Sequence, residues 1–340
     1  MDVRLSSEQR ALRDSVAQVV DRLAAHAVGQ LDDHERAAKL DAAVAESGWR
    51  DLRTPNDEGA PWASGVEVAI VAEELARRRA DAAFVGPTLA AELRRLAGAS
   101  EAMAPETVAL LPDLSAPAAV GDPAVAVDAF GATSALVLAP APDGFALASV
   151  AVPERRAGVD LTRPTVAVTT ASARRVPDQS SVIGRPDLVR WTALGLAITC
   201  ADLVGTMRGA IDLSVDHAAQ REQYGKPIGS FQAIQHMLAD AVVHMEGSRS
   251  ATLHAAWAVD ALSPADALGA AARAKAYSAR AALAVCEIAI QVHGGIGNTW
   301  ECMVHVYLRR ALLSSQWFGD DGVQLRAIAA ARTGGADGLP

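Results

Sequence analysis

The sequence REQYGKPIGSFQ, residues 221–232, separates two long helical stretches in the second half of the chain. It places Arg221 at the end of one helix, then glycines and a proline in a tight loop, then the start of the next helix. Backbone N–H groups at a helix start, together with a fixed guanidinium, form a cradle that suits a diphosphate. The same residues also fit an ordinary helix–loop–helix in which Arg221 complements the helix dipole.

A second segment, QVHGGIGNTWE at residues 291–301, has glycines that permit close approach of the backbone to a ligand. It contains no GxGxxG pattern and no strand precedes it, which argues against a Rossmann dinucleotide site. By itself the segment also fits a simple helix C-cap, with His293 as a buried histidine. Neither segment alone decides a function.

The composition favours closely packed helices. The 340 residues are 51% hydrophobic but only 4% aromatic, with Ala, Leu and Val dominant. The formal net charge of −9 argues against nucleic acid as a partner. Cys200, Cys286 and Cys302 lie far apart without metal-ligand spacing, which predicts buried thiols in a reducing compartment. No metal site is predicted.

The first residues, MDVRLSSEQR, become polar too early for a signal peptide. The chain also lacks a run of about 18 uncharged apolar residues, the length that a membrane span needs. We therefore expect a cytoplasmic protein with no membrane insertion.

Three regions differ in their patterns, which predicts an α+β fold that is mostly α. Residues 1–105 predict an N-terminal helical domain, and residues 106–186 predict a small β-domain rich in Pro and Gly. Residues 187–340 predict a C-terminal four-helix bundle, in which Ser263-Pro264 begins one helix.

Within the first region, Ser6 and Gln9 form a predicted capping box. Helices are predicted over residues 66–79 and 88–97, with Gly86-Pro87 as a break between them. Within the second region, five apolar runs between turn residues predict strands: Val108–Leu111, Ala124–Val127, Ser134–Leu138, Phe145–Val152 and Thr165–Thr170.

The two glycine-containing segments, in this order and at this separation, resemble the acyl-CoA dehydrogenase family. The resemblance covers most of the chain, since LSSEQ at residues 5–9 and AEELA at residues 72–76 also match the family. The order of helical domain, β-domain and helical bundle is that family's order as well.

The resemblance implies FAD as cofactor and an acyl-CoA thioester as substrate. In that family a glutamate removes the α-proton while a β-hydride moves to flavin N5. The cofactor spans two subunits, because the bundle of one grips the diphosphate and adenosine of its neighbour's flavin. Carried over to this sequence, the gripping residues are Arg221, Tyr224, Phe231, Gln232, Gln291, Val292, His293, Gly294 and Gly295.

The sequence departs from the family pattern at both positions where family members carry the base. Phe318 occupies the usual position, and counting back from Arg221 puts the alternative at Gly195. The β-domain is also short, and it lacks the Thr-Glu-Pro/Gly-Ser-Asp and Trp-Ile-Thr stretches that line the flavin in the family. No catalytic residue is therefore assigned.

These departures resemble the shortened subunit of actinobacterial heteromeric acyl-CoA dehydrogenases. The sequence thus predicts a non-catalytic partner of a full-length, base-carrying subunit, acting on fatty or sterol side-chain acyl-CoA. Two alternatives stay open. One is a homomeric enzyme with an unrecognised base, for which Asp202, Glu301, Asp320 and Asp321 are the nearest acids. The other is a flavin-free scaffold or CoA-binding protein.

Overall fold

A computed structural model describes residues 4–153 and 158–333, and it confirms a mostly helical chain with a sheet in the middle. The helices are α1 (Ser7–Leu23), α2 (His34–Glu46), α3 (Gly65–Arg77), α4 (Val85–Ala97), α5 (Arg185–Gln220), α6 (Gln232–Ala261), α7 (Pro264–His293), α8 (Val304–Gln316) and α9 (Asp321–Thr333). The strands are β1 (Glu106–Leu110), β2 (Pro123–Val127), β3 (Ser134–Ala141), β4 (Gly144–Ala151), β5 (Val166–Thr169), β6 (Arg174–Arg175), β7 (Glu222–Gln223) and β8 (Lys226–Pro227).

Local capping signals set the starts of α1 and α7. The Ser6 hydroxyl accepts from the Gln9 backbone N–H while the Gln9 side chain accepts from the Ser6 N–H, which confirms the predicted capping box. Ser263 caps α7, with Pro264 as its first residue. Each start therefore follows from a few neighbouring residues.

The predicted break at Gly86-Pro87 is wrong, because both residues lie in the first turn of α4. The Asp128 carboxylate accepts from the N–H groups of Phe84 and Gly86, at 2.8 and 3.1 Å. A proline in the first turn loses no helical hydrogen bond, since those N–H groups have no partner within the helix. The capping residue, Asp128, lies 42 positions after Gly86 in the sequence. Patterns of neighbouring residues therefore do not predict this cap.

The six-stranded sheet has the order β5-β2-β1-β3-β4-β6. Only the β1–β3 pair is parallel, and the other strand pairs of this sheet are antiparallel. One face carries Leu110, Leu136 and Leu147 and joins the main core with Leu89 and Leu93 of α4. The other face buries a separate cluster of alanines and valines. The sheet is thus attached to the N-terminal helices.

The C-terminal region is built on three long helices, α5, α6 and α7, with α8 packed against α5 and α7. A further short helix, α9, packs on α7. The sequence pattern does not predict it as a separate helix. Gly205 and Gly209 let α5 cross close to α3. A Cβ added at these positions would lie 2.0 Å from the Glu73 carbonyl oxygen and 2.1 Å from the Arg77 carbonyl oxygen.

The AEELA motif on α3 links the N-terminal helices to the C-terminal helices through ion pairs. Arg208 of α5 contacts both Glu73 and Glu74, and Arg249 of α6 lies 3.6 Å from Glu73. Both glutamates are buried, so their charges need these partners. The motif therefore has a structural role.

Two helices, Arg185–Gln220 and Pro264–Asn298, are long and apolar enough to cross a membrane by length and composition alone. Within their most apolar windows, 78% and 44% of the residues are buried inside the protein. Core helices of water-soluble proteins meet the same criterion, so these two carry little weight for a membrane location.

We predict that Gly205→Ala destabilises the fold by about 1–3 kcal/mol, because the added methyl meets the α3 backbone. Gly269→Ala on α7 is the matched control, since its Cβ would meet only the end of the Arg273 side chain at 3.4 Å. Helix propensity alone stabilises an alanine by up to about 1 kcal/mol, so the control should gain stability. Urea unfolding measures both, and a stabilised Gly205→Ala variant would contradict the close crossing.

Candidate functional site

The ends of α5 and α7 bring the two glycine-containing segments together. His217 lies in the last turn of α5, four residues before Arg221, and His293 is the last residue of α7. Their imidazole rings stack, with centroids 4.3 Å apart and planes inclined by 22°. Segments that are separated by about 70 residues in the sequence thus form one surface.

A short hairpin, β7–β8, follows Arg221. Tyr224 and Gly225 form its turn with φ of 54° and 75°, and the Tyr224 side chain is 93% exposed. The Tyr224 ring stands edge-on to Phe231 at 6.3 Å, while the Lys226 ammonium lies 4.4 Å from the Phe231 ring centroid. Gln232 begins α6 beside them and is exposed.

The glycine turn after α7 leaves open space above its backbone. Gly294 has φ of 65°, which favours glycine, and a Cβ at Gly294 or Gly295 would meet no heavy atom within 4 Å. Gln291 is exposed on the same surface, whereas Val292 and His293 are buried. Val292 therefore offers little surface to a ligand.

The donor set on this surface fits a diphosphate. It combines the exposed Arg221 guanidinium, the primary amides of Gln232 and Gln291, and the open backbone at the Gly294-Gly295 turn, where the Gly294 N–H itself donates to the Gln291 and Ile290 carbonyls. Within the described residues, no carboxylate lies in ion-pair distance of Arg221. These side chains are exposed to solvent.

The two positions at which the family carries its base are in contact. A Cβ added to Gly195 of α5 would lie 2.4 Å from Cζ of Phe318, so the phenyl ring rests directly on the helix backbone. Phe318 is 2% exposed, and its ring meets Trp191 edge-on at 5.6 Å. The Phe318 ring thus fills the space beside Gly195.

The turn that carries Phe318 is held from three sides. Phe318 has φ of 59°, a strained value for a residue with a side chain. Its N–H donates to the Leu114 carbonyl at 2.7 Å, and its carbonyl accepts from Gln324 at 2.6 Å. The fully buried Lys275 donates to the carbonyls of Ser314 and Trp317 at 2.9 and 2.5 Å, and burial lowers the pKa of Lys275 to about 8.

Asp202, the nearest acid on α5, is part of a buried ion cluster. Its carboxylate lies 2.6 Å from Arg310 and 3.2 Å from Arg163, and it accepts from the Ser314 hydroxyl at 2.7 Å. Burial alone would raise the pKa of Asp202, but the two guanidiniums and the hydroxyl lower it. A carboxylate held ionised by two cations is a weak proton acceptor.

The other acids near the end of the chain have structural roles or lie at the surface. Asp320 accepts from the Val323 N–H at 2.8 Å and so caps α9. Asp321 forms an ion pair with Arg280 at 2.7 Å, and Glu301 is exposed.

Sequence reasoning missed two features of this region. His217 could have been found from its spacing, because four residues before Arg221 is one helical turn on the same face. The cluster of Asp202, Arg163 and Arg310 had no such signal, since its members lie in three separate parts of the chain.

Comparison with family profiles finds two matches. Residues 6–101 match "Acyl-CoA dehydrogenase, N-terminal domain", and residues 193–332 match "Acyl-CoA dehydrogenase, C-terminal domain". The six-stranded sheet, β1 to β6, lies between the two matched ranges.

The chain is similar to two proteins named acyl-CoA dehydrogenase IpdE2. It is 33% identical to that of Mycolicibacterium smegmatis over 168 residues, which is 49% of this chain and about half, 51%, of the relative. It is 30% identical to that of Mycobacterium tuberculosis over 323 residues, covering 91% of this chain and 92% of the relative.

Solved structures share the fold over nearly the whole chain. A variant described as the Tcur3481-Tcur3483 steroid ACAD superposes with a TM-score of 0.81 at 24% identity, covering 97% of this chain and 98% of that chain. The ChsE4-ChsE5 complex from Mycobacterium tuberculosis gives 0.77 at 21% identity, covering 98% and 99%.

We predict that Asp202→Asn destabilises the protein by about 3–5 kcal/mol, because it leaves the buried Arg310 charge without its counter-ion and leaves Arg163 with Asp160 alone. A carboxyl with a lowered pKa stabilises the fold above its unfolded pKa near 4 and loses that contribution at lower pH. The difference between wild type and variant should therefore be constant from pH 5 to 7 and shrink below pH 4. Urea unfolding checks this, with Asp216→Asn as the control, since Asp216 is exposed on the same helix. Equal stability of wild type and Asp202→Asn would contradict the structural role.

Proposed function

The chain belongs to the acyl-CoA dehydrogenase family, and we propose that it is the non-catalytic subunit of an FAD-dependent member. In this proposal it grips the FAD diphosphate and adenosine, while a second, full-length subunit carries the base and the isoalloxazine wall. The assembly desaturates an acyl-CoA thioester between its α and β carbons.

The contact between Phe318 and Gly195 carries the proposal. Removal of a proton next to a thioester needs a carboxylate in a dry pocket, with a pKa raised towards the working pH. Phe318 offers no lone pair, and its ring occupies the space beside Gly195 that a carboxylate at that position would need. Asp202 does not replace it, since its pKa is lowered and its oxygens are engaged.

The surface formed by Arg221 and the Gly294-Gly295 turn supports the cofactor half of the proposal. Arg221 would hold the diphosphate with its planar fork, and Gln232 and Gln291 would add amide donors. FAD bound there would supply the acceptor for the β-hydride. The short middle region, proposed as a separate domain at residues 106–186, lacks the family's flavin-lining stretches, so the chain would need its partner to enclose the flavin.

Two neighbours in fold support a partner of the same family. The ChsE4-ChsE5 structure is described as a complex of two named components, and the Tcur3481-Tcur3483 protein is described as a steroid ACAD. For this chain we accordingly propose a heteromeric assembly and a bulky acyl-CoA, with a sterol side chain as the leading class.

We predict that Arg221→Ala lowers the affinity of the assembled complex for FAD about 10- to 150-fold, the effect of losing one charge-assisted contact. Arg221→Lys should restore part of it, because a point charge replaces a bidentate fork. Flavin retained per complex after dialysis is the measurement, and the chain purified without a partner should retain little.

Arg273→Ala is the control for this variant. Arg273 is exposed on α7, 20 residues before His293, which is about 30 Å along the helix, so its loss should leave flavin retention unchanged. If Arg221→Ala retained FAD like wild type, Arg221 would serve only to complement the helix dipole.

We predict that Glu301→Gln, Asp320→Asn and Asp321→Asn each leave the rate of flavin reduction within a few-fold of wild type, because the proton is taken by another chain. Removal of a true general base costs about 10²–10⁴-fold. Single-turnover reduction of the flavin in the intact complex separates this step from binding and release. A hundredfold loss in one variant, with flavin content and assembly intact, would place the base on this chain and overturn the non-catalytic role.

A further inference from the structure

The His217–His293 stack joins the two predicted gripping segments: His293 is one of the predicted gripping residues, whereas His217 is not. His293 is buried and His217 is half-buried. The His293 Nδ1 lies 2.8 Å from the Ala289 carbonyl oxygen, which can only accept, so Nδ1 carries the hydrogen. In neutral His293 the lone pair is therefore on Nε2, and protonation there would make the ring a cation.

The surroundings of the stack favour two neutral rings. Burial lowers the pKa of His217, and the neighbouring His293 and Arg221 lower it further. Burial also lowers the pKa of His293, against its hydrogen bond to Ala289. The adjoining turn, Gly294–Asn298, contains no titratable side chain, and the hairpin contributes the exposed Glu222, Tyr224 and Lys226.

The stack lies at the ends of the two helices that carry the predicted gripping segments. Arg221, the C-cap residue of α5, comes four residues after His217, while Gly294 directly follows His293, the last residue of α7. The contact between the rings therefore joins the two helix ends that carry Arg221 and the glycine turn. Both groups must face one diphosphate at the same time if either is to add to the affinity of the other.

We propose that His217 is a positioning residue of the cofactor surface. Stacked on His293, it holds Arg221 and the Gly294-Gly295 turn at a fixed relative position, and protonation of both histidines releases that position. The proposal rests on the proposed function, because the ligand that this arrangement serves is FAD. Two stacked imidazolium ions repel each other in a half-buried place beside Arg221, whereas two neutral rings attract.

Two substitutions at His217 separate stacking from titration. Phenylalanine keeps an aromatic ring and removes the proton site, while alanine removes both. His217→Ala should lower FAD affinity of the complex about 2- to 10-fold at pH 7.5, the range expected for loss of an aromatic pair. His217→Phe should match wild type at pH 7.5 and retain FAD better than wild type at pH 5.5.

A second readout uses the complex after its flavin has been removed. A histidine whose pKa is lowered in the folded state stabilises the fold at pH 7.5 and loses that contribution as the pH falls below about 6.5, its unfolded value. The melting temperature of wild type should thus fall between pH 7.5 and 5.5 by more than that of His217→Phe. The control is His254→Phe, since His254 is exposed on α6 and its loss should leave the wild-type pH dependence.

The outcomes distinguish this inference from the proposed function. Equal FAD affinity of His217→Ala and wild type, with Arg221→Ala impaired, would overturn the positioning role and leave the proposed function standing. A His217→Phe variant as acid-sensitive as wild type in both readouts would overturn the proton-dependent release. If Arg221→Ala also retained FAD normally, the proposed cofactor surface itself would be wrong.

Discussion

The buried cluster of Asp202, Arg163 and Arg310 is the constraint on which the interior depends. It joins α5, α8 and the segment around Arg163 between β4 and β5. Each of its charges is almost completely buried, so removing Asp202 would leave Arg310 without its carboxylate partner in a medium of low dielectric constant, whereas Arg163 also pairs with Asp160. Arg310 and Ser314, which both contact Asp202, belong to α8, and the turn after α8 presents Phe318.

The same packing explains why the interior suits a structural role better than proton transfer. A general base needs a carboxylate whose charge is only weakly stabilised, so that its pKa lies near the working pH. Asp202 has the opposite environment, with two guanidiniums and a hydroxyl on its oxygens. Phe318 closes the remaining space against Gly195 and Trp191. Strong stabilisation of its charge opposes proton uptake by Asp202, and apolar packing fills the space around Phe318.

Sequence reasoning succeeded where the determining residues are neighbours in the chain. The capping box at Ser6, the start of α7 at Ser263 and the order of helices, sheet and helices all follow from local patterns. It failed at Gly86-Pro87, because the cap comes from the distant Asp128, and it did not find the ion cluster, whose members meet only in the folded chain. The domain boundaries stay predictions. The predicted cofactor residues also stay predictions, because the proposed site needs a second chain to complete it.

The proposed division of the site between two subunits has a physical basis, because the two halves of the site are built from different elements. The gripping half consists of helix ends, a glycine turn and exposed polar side chains, all of which the bundle holds without help from the sheet. The base position depends instead on the turn after α8 and on its contact with α5. Because the two halves use different elements, Phe318 can fill one of them without disturbing the other. A chain of this kind would keep its hold on a neighbour's cofactor after losing a pocket of its own.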